Sequence, residues 1–191
     1  MRVITGSARG RRLKELEGQE TRPTTDRVKE GLFSALQFDI EGRDVLDLFA
    51  GTGQLGIECL SRGAASAVFV DRRKDAAGLV RENLALTELQ DRARVVCGDA
   101  RDFITRTGER FDLIFLDPPY ESDWLEELLE RIAAPGFDIL RPYGIIVAEH
   151  PAEKTLPVLP PPYRLLRTYR YGKIAVTLFR RDEMNKTRND P

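Results

Sequence analysis

Four aspartates in the middle of the chain each lie at or near the end of a short apolar run. They are Asp47, Asp71, Asp99 and Asp117. A single aspartate in such a place usually caps a helix. The carboxyl ends of parallel strands meet at one edge of a sheet, however, and open α/β sheets bind their ligands outside that edge. The spacing therefore predicts one crevice surrounded by four carboxylates.

A glycine-rich loop follows the first of these aspartates. The segment DLFAGTGQLG contains G-x-G-x-x-G at Gly51, Gly53 and Gly56, after a strand pattern and before a helix pattern. The motif alone suits a dinucleotide or S-adenosylmethionine (SAM), because both need a turn at which the ligand approaches bare backbone. Asp47 favours SAM, since a pyrophosphate site has no use for a carboxylate there, whereas the sulfonium and ammonium of SAM attract one.

The next two aspartates fit a nucleoside. Asp71 follows the glycines by about 20 residues, where an acid can accept hydrogen bonds from both ribose hydroxyls. Asp99 and the adjacent backbone at Ala100 are suited to hydrogen-bond an adenine amino group. Together with Asp47, Gly51 and Gly53, these residues predict a SAM-binding site.

The fourth strand pattern, FDLIFLD, runs directly into the sequence DPPY, from Asp117 to Tyr120. This loop suits methylation of an exocyclic amine, whose lone pair is delocalised into the base ring. Hydrogen bonds from the amine to Asp117 and to a carbonyl of Pro118 or Pro119 would free that lone pair, and the prolines would hold the carbonyls rigidly. Tyr120 would supply a stacking face for an unstacked base. The chemistry requires no metal.

Strand and helix patterns alternate from Asp44 onward. The strand patterns are DVLDLFA, SAVFVD, ARVVCGD, FDLIFLD and YGIIVAEH, and the helix patterns are QLGIECLSRG, KDAAGLVRENLALTEL, ARDFITR and WLEELLERIAA. This alternation predicts an α/β fold with a doubly wound, mostly parallel sheet. After a proline-rich linker at 157–162, YRLLRTYRYGKIAVTLFRR predicts two more strands, an antiparallel edge pair bent at YGK, for a seven-stranded sheet.

We expect one main domain, residues 41–182, with a small extension and a tail. In the extension, residues 1–40, MRVITG and RRLKEL flank SARG as in a β-hairpin, and TTDRVKEGLFSAL predicts a helix. One face of that helix would carry Val28, Leu32, Phe33 and Leu36. Residues 183–191 are polar and end in proline, which predicts disorder.

Composition favours a cytoplasmic globular protein. The 191 residues are 41% hydrophobic and 32% charged, no segment reaches the roughly 18 apolar residues of a membrane span, and MRVITGSARG lacks an apolar signal region. Cys59 and Cys97 lie in apolar surroundings without the spacing of a disulfide framework or a zinc site. We therefore expect neither a disulfide nor a metal centre. We also expect the protein to be a monomer.

Two segments are basic and contain no acid, although the net charge of the chain is −1. The candidate RNA contacts are Arg9, Arg11 and Arg12 in residues 1–14, and Tyr171 and Lys173 in residues 163–181. A single basic run is more often a solvated face. Two such runs, interleaved with aromatic residues, favour a surface that binds nucleic acid.

The motifs and their order resemble the RsmD family of bacterial small-subunit (16S) ribosomal RNA guanine-N2 methyltransferases. The resemblance covers nearly the whole chain and rests on MRVITG…GRRL, TRPTTDRVKEGLF, VLDLFAGTGQLGIECLSRGA, FDLIFLDPPY and the YGK near the end. DPPY is shared with other amine methyltransferases, so TRPTTDRVKEGLF discriminates better.

This resemblance implies a Rossmann-like class I SAM-dependent methyltransferase fold and a guanine in small-subunit rRNA, presented on a partly assembled particle, as the substrate. The SAM contacts that it carries over are Asp47, Gly51, Gly53, Asp71 and Asp99, and the catalytic loop is Asp117 to Tyr120. It adds three residues on the substrate side: Arg22, Thr24 and Arg27.

Three other functions remain open. A DNA adenine-N6 methyltransferase would share DPPY but would usually need a DNA-recognition domain, and none is visible. A nicotinamide-dependent oxidoreductase would share the glycine motif, but the roughly 40 residues outside the core are too few for a separate catalytic domain. A non-enzymatic RNA-binding protein would not need DPPY.

Two further side chains are interpreted as structural. His150, the only histidine, follows IIVAE at the end of the fifth strand pattern and is expected to pack or cap. Trp124 is expected to pack a helix against the sheet.

Overall fold

The computed structural model describes residues 1–16, 26–119 and 123–183. The strands are β1 Asp44–Leu48, β2 Ser66–Asp71, β3 Ala93–Cys97, β4 Phe111–Leu116, β5 Leu140–Pro151, β6 Tyr163–Tyr171 and β7 Ile174–Arg181. The helices are α1 Asp26–Ala35, α2 Gln54–Ser61, α3 Lys74–Thr87, α4 Ala100–Arg106 and α5 Trp124–Ala133, with a short 3₁₀ turn at Gln90–Arg92. Within these ranges, no helix combines the length and the apolar character that crossing a bilayer requires.

The strands form one sheet in the order β3-β2-β1-β4-β5-β7-β6. Strands β1 to β5 run parallel to one another, and β7 runs antiparallel to both β5 and β6. The predicted doubly wound, mostly parallel sheet and its antiparallel edge pair are therefore confirmed. The carboxyl ends of β1 to β5 lie along one edge, which is where the sequence predicts a crevice.

Both faces of the sheet are buried, as parallel strands flanked by helices require. Val45 and Leu113 face a core shared with α1, α2, α3 and the N-terminal segment. Leu46 and Ile114 face the opposite core, which includes α4 and α5. Because side chains alternate along a strand, every second residue of β1, β4 and β5 points towards the N-terminal segment.

The N-terminal segment is a hairpin packed on α2. Val3 N–H donates to the carbonyl of Arg11 (3.0 Å), and Gly10 N–H donates to the carbonyl of Val3 (2.9 Å). Val3 and Leu13 are buried in the core that contains α2. The predicted hairpin and the predicted apolar face of α1 are both observed, since Val28, Leu32, Phe33 and Leu36 are all buried.

A buried ionic cluster joins the hairpin, α1 and α2. Lys29 and Glu58 are both 0% exposed, with 3.7 Å between Nζ and Oε2. The Glu58 carboxylate also accepts hydrogen bonds from the backbone N–H groups of Ile4 (2.8 Å) and Thr5 (3.0 Å) and from Arg62 Nε (2.9 Å). Lys29 Nζ donates to the carbonyl of Arg2 (2.8 Å). The extension therefore shares its core with the sheet.

His150 packs inside the sheet, as predicted. Its Nε2 lies 2.9 Å from Thr177 Oγ1 on β7, and its Nδ1 lies 2.8 Å from the carbonyl oxygen of Pro151. Burial disfavours the charged form of the imidazole and therefore lowers the pKa of His150. The contacts of His150 are those of a packed residue at the join between β5 and β7.

The two cysteines differ in burial. Cys59 is buried in α2, but Cys97 is exposed, so the prediction of apolar surroundings is wrong for Cys97. The reason is topological, since β3 is an edge strand of the sheet. Both are free thiols.

The C-terminal segment is described as far as Glu183. This residue accepts a hydrogen bond from the hydroxyl of Tyr143 (2.7 Å). The rest of the predicted tail, 184–191, lies outside the described residues.

Candidate active site

A crevice of about 800 Å³ opens along the carboxyl edge of the sheet. Its size is that of a typical small-molecule site. Three of the four predicted aspartates line it, namely Asp71, Asp99 and Asp117. The other lining residues are Met1, Leu16, Phe49, Ala50, Gly51, Thr52, Gln54, Val70, Arg72, Arg73, Ala76, Gly98, Ala100, Pro118, Pro119, Trp124 and Glu149.

The glycine loop turns the chain from β1 into α2 at the crevice. Gly53, at the start of α2, has a φ of 78°, which glycine adopts without strain. A Cβ atom at Gly56 would overlap the ring of Phe69 on β2, so this glycine allows the helix to approach the sheet. Asn83 of α3 fixes the loop from behind by donating to the carbonyl of Thr52 (2.9 Å).

Asp47 lies beneath the loop rather than in the crevice lining. It is 2% exposed, and its Oδ2 accepts a hydrogen bond from Gly56 N–H (3.0 Å). Burial, together with the nearby Asp71 charge, raises the pKa of Asp47 to about 7. In this structure Asp47 anchors the first turn of α2, and a contact with SAM stays a prediction.

Asp71 and Asp99 each combine a lining position with a structural hydrogen bond. Asp71 accepts from the N–H of Gly51 (2.9 Å) and of Arg73 (2.9 Å), so it fastens the glycine loop to the end of β2. Asp99 accepts from Arg101 N–H (2.9 Å) and caps α4. Ala100 is buried in the adjacent wall.

Asp117 follows β4 and faces the crevice together with Pro118 and Pro119. Burial raises the pKa of Asp117 well above its ordinary value, and the carboxylates of Glu149 and Asp47 raise it further. A cation brought into this crevice would therefore favour the ionised form of Asp117. Tyr120 lies outside the described residues.

Glu149 is a site residue that the sequence interpretation missed. It ends the apolar run of β5, lines the crevice, and is 8% exposed. The signal was present in IIVAEH, where an acid follows an apolar run much as the four aspartates do. Clusters of acidic side chains can bind a metal ion. Among the residues described, however, no group of three or more His, Cys, Asp or Glu is placed to hold one.

An aromatic pair forms a second wall of the crevice. Phe49 has a φ of 66°, a costly conformation for a residue with a side chain, and its ring stacks on Trp124 with centroids 5.6 Å apart. The guanidinium groups of Arg72 and Arg101 lie 4.9 and 4.8 Å from the centroid of the Trp124 ring. Trp124 therefore lines the site, contrary to the predicted helix-to-sheet packing, because it occupies the first position of α5 next to the crevice.

The predicted RNA contacts of the hairpin are not all alike. Arg9 and Arg12 are exposed. Arg11 is also exposed, but it donates to the carbonyl of Leu86 (2.8 Å) and pairs with Glu88 (2.9 Å) at the end of α3. Residues 1–14 contain no acid, and the fold brings Glu88 to Arg11 from 77 residues further along the chain.

The hairpin turn lies away from the crevice. Ser7 N–H donates to the carbonyl of Ser61, the last residue of α2, whereas the crevice lies at the first residue, Gln54. The eight residues of α2 separate the two by about 12 Å. Met1 and Leu16, at the two ends of the hairpin segment, line the crevice.

The other predicted RNA contacts lie near the crevice edge or outside the described residues. The bend with Tyr171 and Lys173 lies next to the carboxyl end of β5, because Ile174 pairs with Pro151. Lys173 is exposed, whereas Tyr171 is partly buried, and its hydroxyl lies over Gly31 of α1. Arg22, Thr24 and the side chain of Arg27 lie outside the described residues.

The strand order and a ligand crevice at the carboxyl edge define a class I SAM-dependent methyltransferase. The chain belongs to the family described as Conserved hypothetical protein 95, whose model matches residues 1–180. The family membership that the sequence resemblance predicts is thereby confirmed.

Relatives and solved structures match over nearly the full length. The chain is 35% identical to the ribosomal RNA small subunit methyltransferase D of Escherichia coli (strain K12), over 100% of this chain and 94% of the relative. It is 42% identical to the protein YlbH of Bacillus subtilis (strain 168), over 95% and 99%. The structure of the Escherichia coli protein yhhF superposes with a TM-score of 0.86 at 34% identity, covering 95% of this chain and 98% of that one.

We predict that Asp47→Asn stabilises the protein more at neutral pH than at acid pH. The unfolded Asp47 carboxyl loses its proton near pH 3.8, whereas the folded one keeps it until about pH 7. Between these values the native state binds the extra proton, so the free energy of unfolding of the wild type falls with rising pH by up to about 1.4 kcal/mol per pH unit relative to the Asn variant. Urea unfolding of both proteins at pH 5 and pH 7 measures this. A difference that is the same at both pH values would show that Asp47 is ionised throughout.

Proposed function

We propose that this protein transfers a methyl group from SAM to the N2 amine of a guanine in small-subunit ribosomal RNA. The observation that carries the proposal is the position of Asp117, Pro118 and Pro119, which stand at the rim of the same crevice as the glycine loop. The function in the name of the Escherichia coli relative, ribosomal RNA small subunit methyltransferase D, supports the choice of RNA.

The crevice residues suit a cationic nucleoside cofactor. Gln54 lines the crevice with a buried Oε1 that has no hydrogen-bond partner among the described residues, so this atom can accept from an ammonium group. Asp71 and Asp99 would hold the ribose and the adenine, and Asp47 would attract the positive charge from beneath the loop. When bound, SAM supplies an electrophilic methyl group whose C–S bond breaks as the amine nitrogen forms the new N–C bond.

The DPPY loop would activate and orient the amine. Asp117 accepts a hydrogen bond from the N2 amine, and a carbonyl of the diproline accepts a second, which returns lone-pair density to the nitrogen. The methylated amine then loses one proton to the Asp117 carboxylate or to solvent. Tyr120 keeps its proposed role as a stacking face for a base removed from its helix. Holding the amine in line with the methyl group would lower the activation barrier by roughly several kcal/mol.

The RNA would extend from the crevice along the N-terminal segment. Met1 and Leu16 bring this segment to the crevice, and Arg12 and Arg9 continue from there towards the hairpin turn. Lys173 and Tyr171, at the same edge of the sheet, would contact the other flank, and Arg22, Thr24 and Arg27 complete the proposed surface. The enzyme would act as a monomer in the cytoplasm, on a partly assembled ribosomal particle.

We predict that Asp117→Ala lowers the rate of methyl transfer by about 100-fold or more and changes the affinity for the product S-adenosylhomocysteine by less than about threefold. The reason is that Asp117 is proposed to act on the amine rather than on the cofactor. Transfer of a labelled methyl group to unmethylated small-subunit rRNA gives the rate, and calorimetry gives the affinity. Asp91→Ala, at an exposed aspartate of the 3₁₀ turn, serves as the matched control. A variant that keeps the wild-type rate would remove Asp117 from the mechanism.

We also predict that replacing both Arg9 and Arg12 with alanine weakens RNA binding and flattens its salt dependence by about one logarithmic unit per lost phosphate contact. Arg11→Ala is the matched control, because its guanidinium is already held by Glu88 and the Leu86 carbonyl. Filter binding of small-subunit rRNA at several salt concentrations measures both effects. Unchanged affinity and slope in the double variant would move the RNA surface to the bend with Tyr171 and Lys173.

A further inference from the structure

Segments that follow four neighbouring strands of the sheet meet at the ring of Trp124. Phe49 directly follows β1, and its ring stacks on that of Trp124 with centroids 5.6 Å apart. Arg72 directly follows β2, and its guanidinium lies 4.9 Å from the centroid of the Trp124 ring. The guanidinium of Arg101, in the first turn of α4 after β3, lies 4.8 Å from it. Trp124 itself begins α5, the helix that follows β4.

The two arginines connect this ring to the acids proposed to hold the cofactor. Arg72 adjoins Asp71, which lines the crevice. Arg101 pairs with Asp99, with 3.3 Å between Nε and Oδ1, and also with Glu127 of α5, with 3.5 Å between Nη1 and Oε2. A guanidinium over an aromatic face is attracted to the electrons of the ring. The loops after β2 and β3 are therefore joined to the start of α5 by contacts that both attract and space them.

Trp124 also bounds the segment proposed to activate the amine. Asp117 directly follows β4, which is hydrogen-bonded between β1 and β5 and so fixes one end of that segment. The chain enters α5 at Trp124, the fifth residue after Pro119. Leu125 and Leu128 bury α5 in the core, whereas Trp124 is partly exposed and lines the crevice. The Trp124 ring therefore lies between the amine-activating segment and the cofactor loops.

The backbone at Phe49 is a second, independent sign that this contact is maintained. Its φ of 66° is a left-handed conformation that a residue with a side chain keeps only where the surrounding structure stabilises it. Strained positions of this kind cluster at functional sites. Phe49 lines the crevice, and its ring packs on Trp124 in this conformation.

We propose that Trp124 is a positioning residue that holds the segment from Asp117 to Pro119 at a fixed distance from the methyl group of bound SAM. This inference rests on the proposed function. In-line transfer needs the two reacting atoms about 3–3.5 Å apart, and a displacement of about 1 Å can cost roughly 100-fold in rate. The amine is held by the segment after β4, and the cofactor is held by the loops after β1, β2 and β3. The ring of Trp124 joins these two halves of the site.

The first test separates positioning from cofactor binding. Trp124→Leu should lower kcat by about 10- to 100-fold, because the segment loses its spacer. The KM for SAM should change by less than about threefold, since Asp71 and Asp99 keep their own backbone hydrogen bonds. Trp124→Phe retains an aromatic face and should return kcat to within about fivefold of the wild type. Methyl transfer to unmethylated small-subunit rRNA, with each substrate varied in turn, gives these constants. A Leu variant with a raised KM for SAM and an unchanged kcat would make the ring a cofactor contact and overturn the positioning role.

The second test uses Arg72, whose exposed position makes a folding defect no obstacle. Trp124 is the only tryptophan of the chain, so its fluorescence reports on this ring alone. Arg72→Met should shift the emission maximum, because it removes a positive charge from the ring, and should lower kcat by about two- to fivefold, the range of one exposed cation–π contact. Arg106→Met, at an exposed arginine in the last turn of α4, is the matched control and should change neither.

A double variant shows whether Arg72 acts through the ring. In the Trp124→Leu background, Arg72→Met should cause no further loss of kcat, because the contact is already gone. Losses that multiply in the double variant, or an emission maximum that Arg72→Met leaves unchanged, would overturn the proposed link.

The inference and the proposed function fail separately. A wild-type enzyme that puts no methyl group on a guanine N2 in small-subunit rRNA would overturn the proposed function itself. A wild-type enzyme that does so, together with a Trp124→Leu variant of unchanged kcat, would overturn only the role of Trp124.

Discussion

The mutual repulsion of carboxylates gathered at one edge of a parallel sheet is the constraint around which this site is organised. Asp47 lies on β1, Glu149 lies on β5, and Asp117 directly follows β4. Every second residue of these strands points to the face covered by the N-terminal segment. The pKa of Asp47 is raised to about 7, and that of Asp117 is raised further than burial alone would raise it. Bringing a sulfonium, an ammonium or an N–H donor into the crevice relieves this repulsion, so the charge pattern itself favours the proposed ligands.

The rest of the fold keeps these acids in place. Asp47 is hydrogen-bonded to Gly56, Asp71 to Gly51, and Asn83 to Thr52, so two strands and one helix hold the glycine loop. The N-terminal segment closes the same face, and the Lys29–Glu58 pair fastens it to α2. Removing one partner of such a buried pair commonly costs about 3–5 kcal/mol. The extension is therefore part of the core as well as the proposed route for RNA.

Local patterns predicted most of the fold, because alternating apolar runs and helical spacing are properties of neighbouring residues. The strands from Asp44 to Arg181 and the four aspartates follow from such patterns. Contacts between distant segments could not be predicted in this way. The pairing of Arg11, a predicted RNA contact, with Glu88 could not be inferred from residues 1–14. Cys97, expected in apolar surroundings, is exposed because β3 is an edge strand. Trp124 and Glu149 line the site because α5 begins at the crevice and β5 lies beside β4.

The most direct test of the account is to identify the nucleoside that receives the methyl group. Unmethylated small-subunit rRNA is incubated with the protein and SAM that carries a trideuterated methyl group, and the digested nucleosides are separated by mass. The account predicts trideuterated N2-methylguanosine. Label found in N6-methyladenosine, or label found only when DNA is the acceptor, would contradict it.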